Sequence, residues 1–315
     1  MKLNLIEWSS AFLFLGFTIS ASAQTPSDAI MMSNGQVCLF AVYSHDSWDE
    51  YWEGTLLRSN GNVGTLTRQT ITPGFALGLG DKLNVIATLP WVKTESSGGY
   101  IAGESGIQDW GFWLKGTALS LFPGPGNLTL HATAGIMGPA SNYSEDYGPY
   151  SLGLGCLDFS MRGILQYRLD MGAYLRGYAA YQLRGNATIE RDYYYTTHGV
   201  YSEEVNMPDA ITYGVVLGSY LFNNSLRIEL SYEGLNTQGG FDIRRQDVGF
   251  PSNQMNNTRV GGFAQYFLGN TGLGFIASAG QVLTGRNVGK STLFSGGITY
   301  QFGLWKEKAP EETTE

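Results

Sequence analysis

Eleven charged side chains lie in stretches that otherwise alternate apolar and polar residues: Asp109, Lys115, Asp158, Arg162, Arg168, Arg176, Arg184, Arg227, Glu229, Glu233 and Arg259. If they share one interior, two kinds of chemistry are open to them. Rings of charge along a pore tune what crosses it. The same arginines and carboxylates on neighbouring strands also brace a lumen through salt bridges and hydrogen bonds. A second group is Asp46, Trp48, Asp49, Glu50, Tyr51, Trp52 and Glu53. Trp48, Tyr51 and Trp52 beside acids suit capture of an aromatic or cationic solute, or of divalent ions that bridge lipopolysaccharide phosphates. They also suit an interfacial aromatic girdle next to a solvated acidic loop. A third is Ser44-His45-Asp46-Ser47, which has the residue types of a hydrolase. A triad needs a spatial partner and an oxyanion hole, and no spacing here supplies them, so no enzyme is expected.

The remaining chemistry-bearing residues are sparse. His45, His131 and His198 are scattered and show no metal-type spacing, and His131 is expected to face the interior alone. Gly153-Leu154-Gly155 falls within an expected strand, where glycine permits close packing or a bulge and does not cradle phosphate. The net charge of -8 disfavours nucleic-acid binding. No cofactor motif and no nucleotide site are expected.

The elements that position the charges are clearest in residues 78–117. Leu83, Val85, Ala87, Leu89 and Trp91 fall on one face of an extended segment, and Asn84, Thr88 and Pro90 on the other, with Ile86 the single apolar exception there. A period of two with two different faces is a strand between two solvents. Gly80-Asp81-Lys82 closes one end tightly, whereas the other opens into a Ser- and Gly-rich loop over 95–104. The returning strand repeats the division, with Trp110, Phe112 and Leu114 opposite Asp109, Lys115 and Thr117.

The same pattern recurs along the chain. Leu226, Ile228, Leu230 and Tyr232 alternate with Arg227, Glu229, Ser231 and Glu233, the cleanest case. A first strand is expected over 36–45, a sixth over 152–169 and a final one ending near Leu304, with residues 25–35 as a polar entry segment. Counting gives about twelve strands whose connections alternate long and short. That pattern belongs to outer-membrane barrels, which have short periplasmic turns, long extracellular loops, an apolar exterior and a polar interior. A soluble sandwich or lipocalin-like domain also alternates, but its apolar face points inward and its connections have no reason to alternate in length.

Composition agrees with an all-β chain. The 315 residues include 43 glycines and 19 tyrosines, with only 15% charged. Average glycine use is about 7%, and glycine costs about 1 kcal/mol in a helix interior. Residues 1–23 read as a signal peptide, with Lys2, an apolar stretch, then Ala21-Ser22-Ala23 before Gln24. That stretch is too short to span a bilayer, and no later segment approaches ~20 apolar residues. Cys38 and Cys156 are expected on the first and sixth strands, far apart, with no disulfide implied. Residues 306–315 form an acidic tail.

At residues 78–117 the motifs resemble those of the outer-membrane transporter family named for the meta-pathway of phenol degradation. The matching features are Gly80-Asp81-Lys82, Leu89-Pro90-Trp91 and Gly106-Ile107-Gln108-Asp109, over about forty residues. The resemblance implies an outer-membrane barrel linked to uptake of small aromatic or apolar compounds. Sequence reasoning therefore leads to an all-β, transmembrane antiparallel up-and-down β-barrel over residues 24–305. The expected role is a channel or transporter for passive uptake of small solutes. The competing role is a structural or surface-interaction barrel with a plugged lumen and functional extracellular loops. Expected partners are membrane lipid, lipopolysaccharide, the barrel-assembly machinery and a small-molecule solute.

Overall fold

The computed structural model describes residues 24–243 and 249–304. The proposed signal peptide and acidic tail lie outside the described residues. Twelve strands form the wall. They are β1 (Gln36–Trp48), β2 (Leu66–Gly80), β3 in two pieces (Leu83–Thr88 and Trp91–Ser96) and β4 (Trp110–Leu121), the last preceded by a short piece at Ser105–Ile107. There follow β5 (Gly126–Gly138), β6 (Asp158–Leu169), β7 (Ala173–Arg184), β8 (Ala210–Leu221), β9 (Leu226–Thr237), β10 (Asn256–Phe267), β11 (Leu273–Arg286) and β12 (Thr292–Gly303). Each strand pairs antiparallel with its sequence neighbours, and β1 pairs with both β2 and β12, which closes the cylinder. Closure leaves no edge in the wall, which a sheet in lipid requires because no water is present to satisfy unpaired backbone groups.

The strands carry the two-solvent pattern outward. Leu39, Phe75, Leu114, Leu165, Leu175, Leu217, Leu230, Phe275 and Ile298 are all exposed on the outer face. Their sequence neighbours are buried: Cys38, Ala76, Lys115, Ile164, Tyr174, Val216 and Thr299. An apolar band of this extent is a membrane-contacting surface. The short turns gather at one rim and the long connections at the other. In the turn from β8 to β9, Phe222, Asn223 and Asn224 have φ of 51°, 56° and 67°, a conformation that asparagine tolerates well.

Four expectations need correction. The first strand runs on through Trp48, and the loop beyond it folds into its own hairpin, Glu50–Glu53 with Leu56–Ser59. The sixth strand begins at Asp158. Residues 152–157 belong to the preceding connection, where Leu152 and Cys156 are both buried and Gly155 has φ 67°. Cys156 is therefore not on a strand, and both cysteines are free thiols. β3 is interrupted at Leu89-Pro90, because proline offers no N–H to the ladder. Pro90 keeps its carbonyl bonded to the Gln108 N–H at 2.8 Å, and pairing resumes at Trp91. Residues 24–35 precede β1, as the expected entry segment does, and most of them lie inside the wall.

The wall predicts an asymmetric response to charge. Leu230 is 67% exposed on the outer face of β9, and Ser231 lines the interior. Leu230→Arg is expected to lower folding stability in phospholipid vesicles by about 2–4 kcal/mol. Denaturant titration should show Ser231→Arg costing less than half as much.

Candidate functional site

Two segments occupy the lumen. The first is residues 24–33, entering from the short-turn rim. Gln24, Asp28, Ile30 and Met32 are all buried. Ile30 and Met32 pack with Cys38, Ala76 and Ile86, flanked by Trp113 and Ile276, to form an apolar plate across the short-turn end. The Gln24 and Asn84 side-chain amides meet at 2.8 Å, and the Gln24 amide donates to the Ile30 carbonyl at 2.7 Å. Gly78 permits the crossing, since a Cβ there would lie 2.1 Å from the Ser33 carbonyl oxygen.

Asp28 is the anchor of this segment. Its carboxylate accepts from the Thr25 hydroxyl at 2.9 Å, from the Ile30 N–H at 2.9 Å and from Lys115 Nζ at 2.6 Å. Lys115 also donates to the Thr25 carbonyl at 2.9 Å, and the Thr133 hydroxyl donates to the Pro26 carbonyl at 3.2 Å. The Lys115 side chain is wholly buried and that of Asp28 is 3% exposed. Breaking a buried pair by removing one partner leaves an uncompensated charge, so the wall and the segment hold each other in place.

The second segment is the connection between β5 and β6, residues 139–157, which packs inward near the long-loop end. Tyr143 and Leu152 cluster with Val92 of β3. Arg68 of β2 donates to the Ser151 and Leu152 carbonyls, and the Thr94 hydroxyl donates to the Tyr150 carbonyl at 2.7 Å. Asp109 accepts from the Tyr143 hydroxyl and from the Leu154 N–H at 2.9 Å. Burial, with Asp109 beside it, pushes the Tyr143 phenol well above its ordinary value. Asp109 thus secures the inward connection.

The other charges divide by height and partner. Near the long-loop end, Asp158 accepts from Arg184 at 3.3 Å and from Gln182 at 3.0 Å. At the short-turn rim, Arg168 donates to Asn224 at 2.7 Å and lies over the Tyr220 ring. Between these levels, Glu229 takes a bidentate pair from Arg176, at 3.0 and 3.1 Å, and a bond from the Tyr174 hydroxyl at 2.5 Å. Glu233 pairs with Arg259 at 2.6 Å and accepts from the Tyr178 hydroxyl at 2.5 Å, while Arg162 lies over the Tyr178 ring. Arg227 lies over the Phe263 ring, its guanidinium carbon 4.6 Å from the centroid. A cavity of about 230 Å³ remains beside Thr25 and Asp28, lined by the charged Asp46, Arg176, Arg227, Glu229, Glu233 and Arg259 together with Gly261, Ser278 and Gly280.

The loop aromatics do not form an open receptor. Trp48 packs at Gly289, Tyr51 bridges Gly289, and Trp52 is buried against Gly285. His131 is buried with Nδ1 3.1 Å from the Thr117 hydroxyl, so it has a neighbour. Asp46 reaches the cavity with the inward parity of β1, which turns His45 to the other face and separates the Ser44-His45-Asp46 types. Sequence reasoning did not single out Asp28, Arg68, Tyr174, Tyr178 or Phe263. The three aromatic residues share the inward parity of Arg176 and of Gln265, which was a usable signal, whereas Asp28 lies in a polar coil with none.

No family model and no curated protein matches the chain. Among solved structures, the COG4313 outer membrane channel from Pseudomonas putida F1 matches with TM-score 0.71 at 15% identity, over 89% of this chain and 100% of that one. The TodX monoaromatic hydrocarbon channel matches with TM-score 0.45 at 9% identity, covering 87% and 91% of the two chains. The translocator domain of the autotransporter NalP from Neisseria meningitidis gives 0.43 at 14%, covering 85% and 88%. The first likeness establishes the fold, which is that of outer-membrane β-barrels. The two lower scores carry no further weight.

The docked segment gives a testable expectation. Asp28→Asn removes the charge opposite Lys115 and weakens the acceptor for the Ile30 N–H. Amide hydrogen exchange of Ile30 should accelerate at least about tenfold, consistent with loss of roughly 1.5–3 kcal/mol in a charged hydrogen bond, while exchange in β9 stays unchanged.

Proposed function

We propose that this barrel is a passive outer-membrane channel for small solutes, with residues 24–33 closing its periplasmic end. The supporting observation is the lumen itself: the cavity is lined by ionised side chains and bounded below by a segment that is not part of the wall. A structural barrel has no need of such a cavity, whereas a channel requires somewhere for a solute to rest. The short-turn rim is taken as periplasmic by the rule that outer-membrane barrels keep short turns on that side. Cleavage after Ala23 would leave Gln24 as the first residue, inside the lumen, once the barrel-assembly machinery has inserted the chain. Lipopolysaccharide would then surround the long-loop rim. The resemblance at 78–117 supports small aromatic or apolar compounds as the solute class.

The plugged-barrel reading draws on a specific observation too, since the buried Asp28–Lys115 pair and the inward connection narrow the lumen at two levels. Conductance separates the two. In planar bilayers, wild-type protein should give small, intermittent steps, and deletion of residues 24–33 should give larger and longer ones. Arg176→Ala should shift the selectivity of those steps towards cations. If the wild type and the deletion are both silent while folded and heat-modifiable, the lumen is closed for good and the channel reading fails.

A further inference from the structure

Arg227, like Arg162, is a lumenal guanidinium to which, among the described residues, the wall offers no hydrogen-bond acceptor. It is 4% exposed, yet among the described residues it donates no hydrogen bond, and its Nε and Nη1 have no partner. Its nearest carboxylate oxygen, Glu229 Oε1, is 3.7 Å away. That oxygen already accepts from Arg176 and Tyr174. A buried guanidinium with unmet donors is costly unless an anion or water meets them. Arg176 Nε and Arg162 Nε are likewise without partners.

Pairing of the charges isolates the same guanidinium. Asp28 is matched by Lys115, Glu229 by Arg176 and Glu233 by Arg259, which leaves Arg227 and Asp46 as the cavity-lining charges outside these close pairs. The guanidinium also lies over Phe263, and Val216 and Leu293 complete an apolar flank within the same cavity of about 230 Å³. A planar fork of donors with an aromatic shelf beside it matches a carboxylate carried on a compact apolar body, because arginine binds carboxylates through two parallel N–H bonds.

We propose that Arg227, with Phe263, forms a lumenal subsite for small organic carboxylates, in which the carboxylate accepts from the Arg227 guanidinium and the apolar body rests against Phe263. The subsite rests on the channel reading for its biological use, but binding to it requires no conduction. In the proposed route it is the resting place of an anionic solute above the residue 24–33 segment.

The test uses the folded full-length protein in detergent, with benzoate as the probe and benzamide as its neutral counterpart of similar shape. Isothermal titration and saturation-transfer NMR should show saturable benzoate binding and at least tenfold weaker benzamide binding. Arg227→Met should weaken benzoate at least tenfold, and Arg227→Lys by less. Equal binding of benzoate and benzamide, no benzoate binding by the wild type, or undiminished binding by folded Arg227→Met would each overturn the subsite. If Arg227→Met does not fold, the benzoate–benzamide comparison on the wild type decides the matter. Binding without current retains the subsite and removes the channel reading; current without binding does the reverse.

Discussion

A strand in hydrocarbon has no water to satisfy its N–H and C=O groups, so the sheet must close on itself. That requirement governs the rest of this molecule. The β1–β12 and β1–β2 pairings complete the cylinder. Closure fixes the parity of every strand, and parity sends Leu230 to lipid and Arg227, Glu229 and Glu233 to the interior. Twelve strands enclose more space than the eight-stranded barrels whose side chains fill them. The surplus volume is taken up by two segments of the chain itself, and what they leave is the cavity beside Arg227.

The two segments are held by different chemistry. Residues 24–33 rely on a buried ion pair above an apolar plate, so their docking depends on Asp28, Lys115 and the Ile30–Met32 contacts together. Residues 139–157 depend on backbone carbonyls captured by Arg68 and Thr94 and on Asp109 holding Tyr143 and the Leu154 N–H.

The wall was legible in the sequence because lipid and water impose opposite demands on adjacent residues, as in the run from Leu226 to Glu233. The tight turn at Gly80-Asp81-Lys82 and the alternation of long and short connections were legible for equally local reasons. The contents of the lumen were not. Residues 24–33 have no periodicity, and their place depends on partners such as Asn84, Lys115 and Thr133, distant in sequence. Residues 152–157 resembled a strand because Leu and Gly alternate there, but the Leu152 carbonyl is claimed by Arg68, and Leu152 and Cys156 are buried in the connection. Pro90 was expected within a continuous strand, and its missing N–H breaks that strand into two pieces. Among the charges, parity indicated the inward direction but not the partner. The Arg176–Glu229 bidentate pair spans two strands that are not neighbours in the wall, and Arg227 stands apart from it by a distance no local pattern encodes.

The central claim is that the N-terminal segment sits in the lumen through the Asp28–Lys115 pair. The most direct test is solid-state NMR on the barrel in lipid vesicles, measuring dipolar coupling between 15N at Lys115 Nζ and 13C at Asp28 Cγ. The structure places Lys115 Nζ 2.6 Å from Asp28 Oδ1, so strong dephasing and a rigid Asp28 signal are expected. A mobile Asp28 with no coupling to Lys115 would contradict the account, because the lumen would then be open at its periplasmic end.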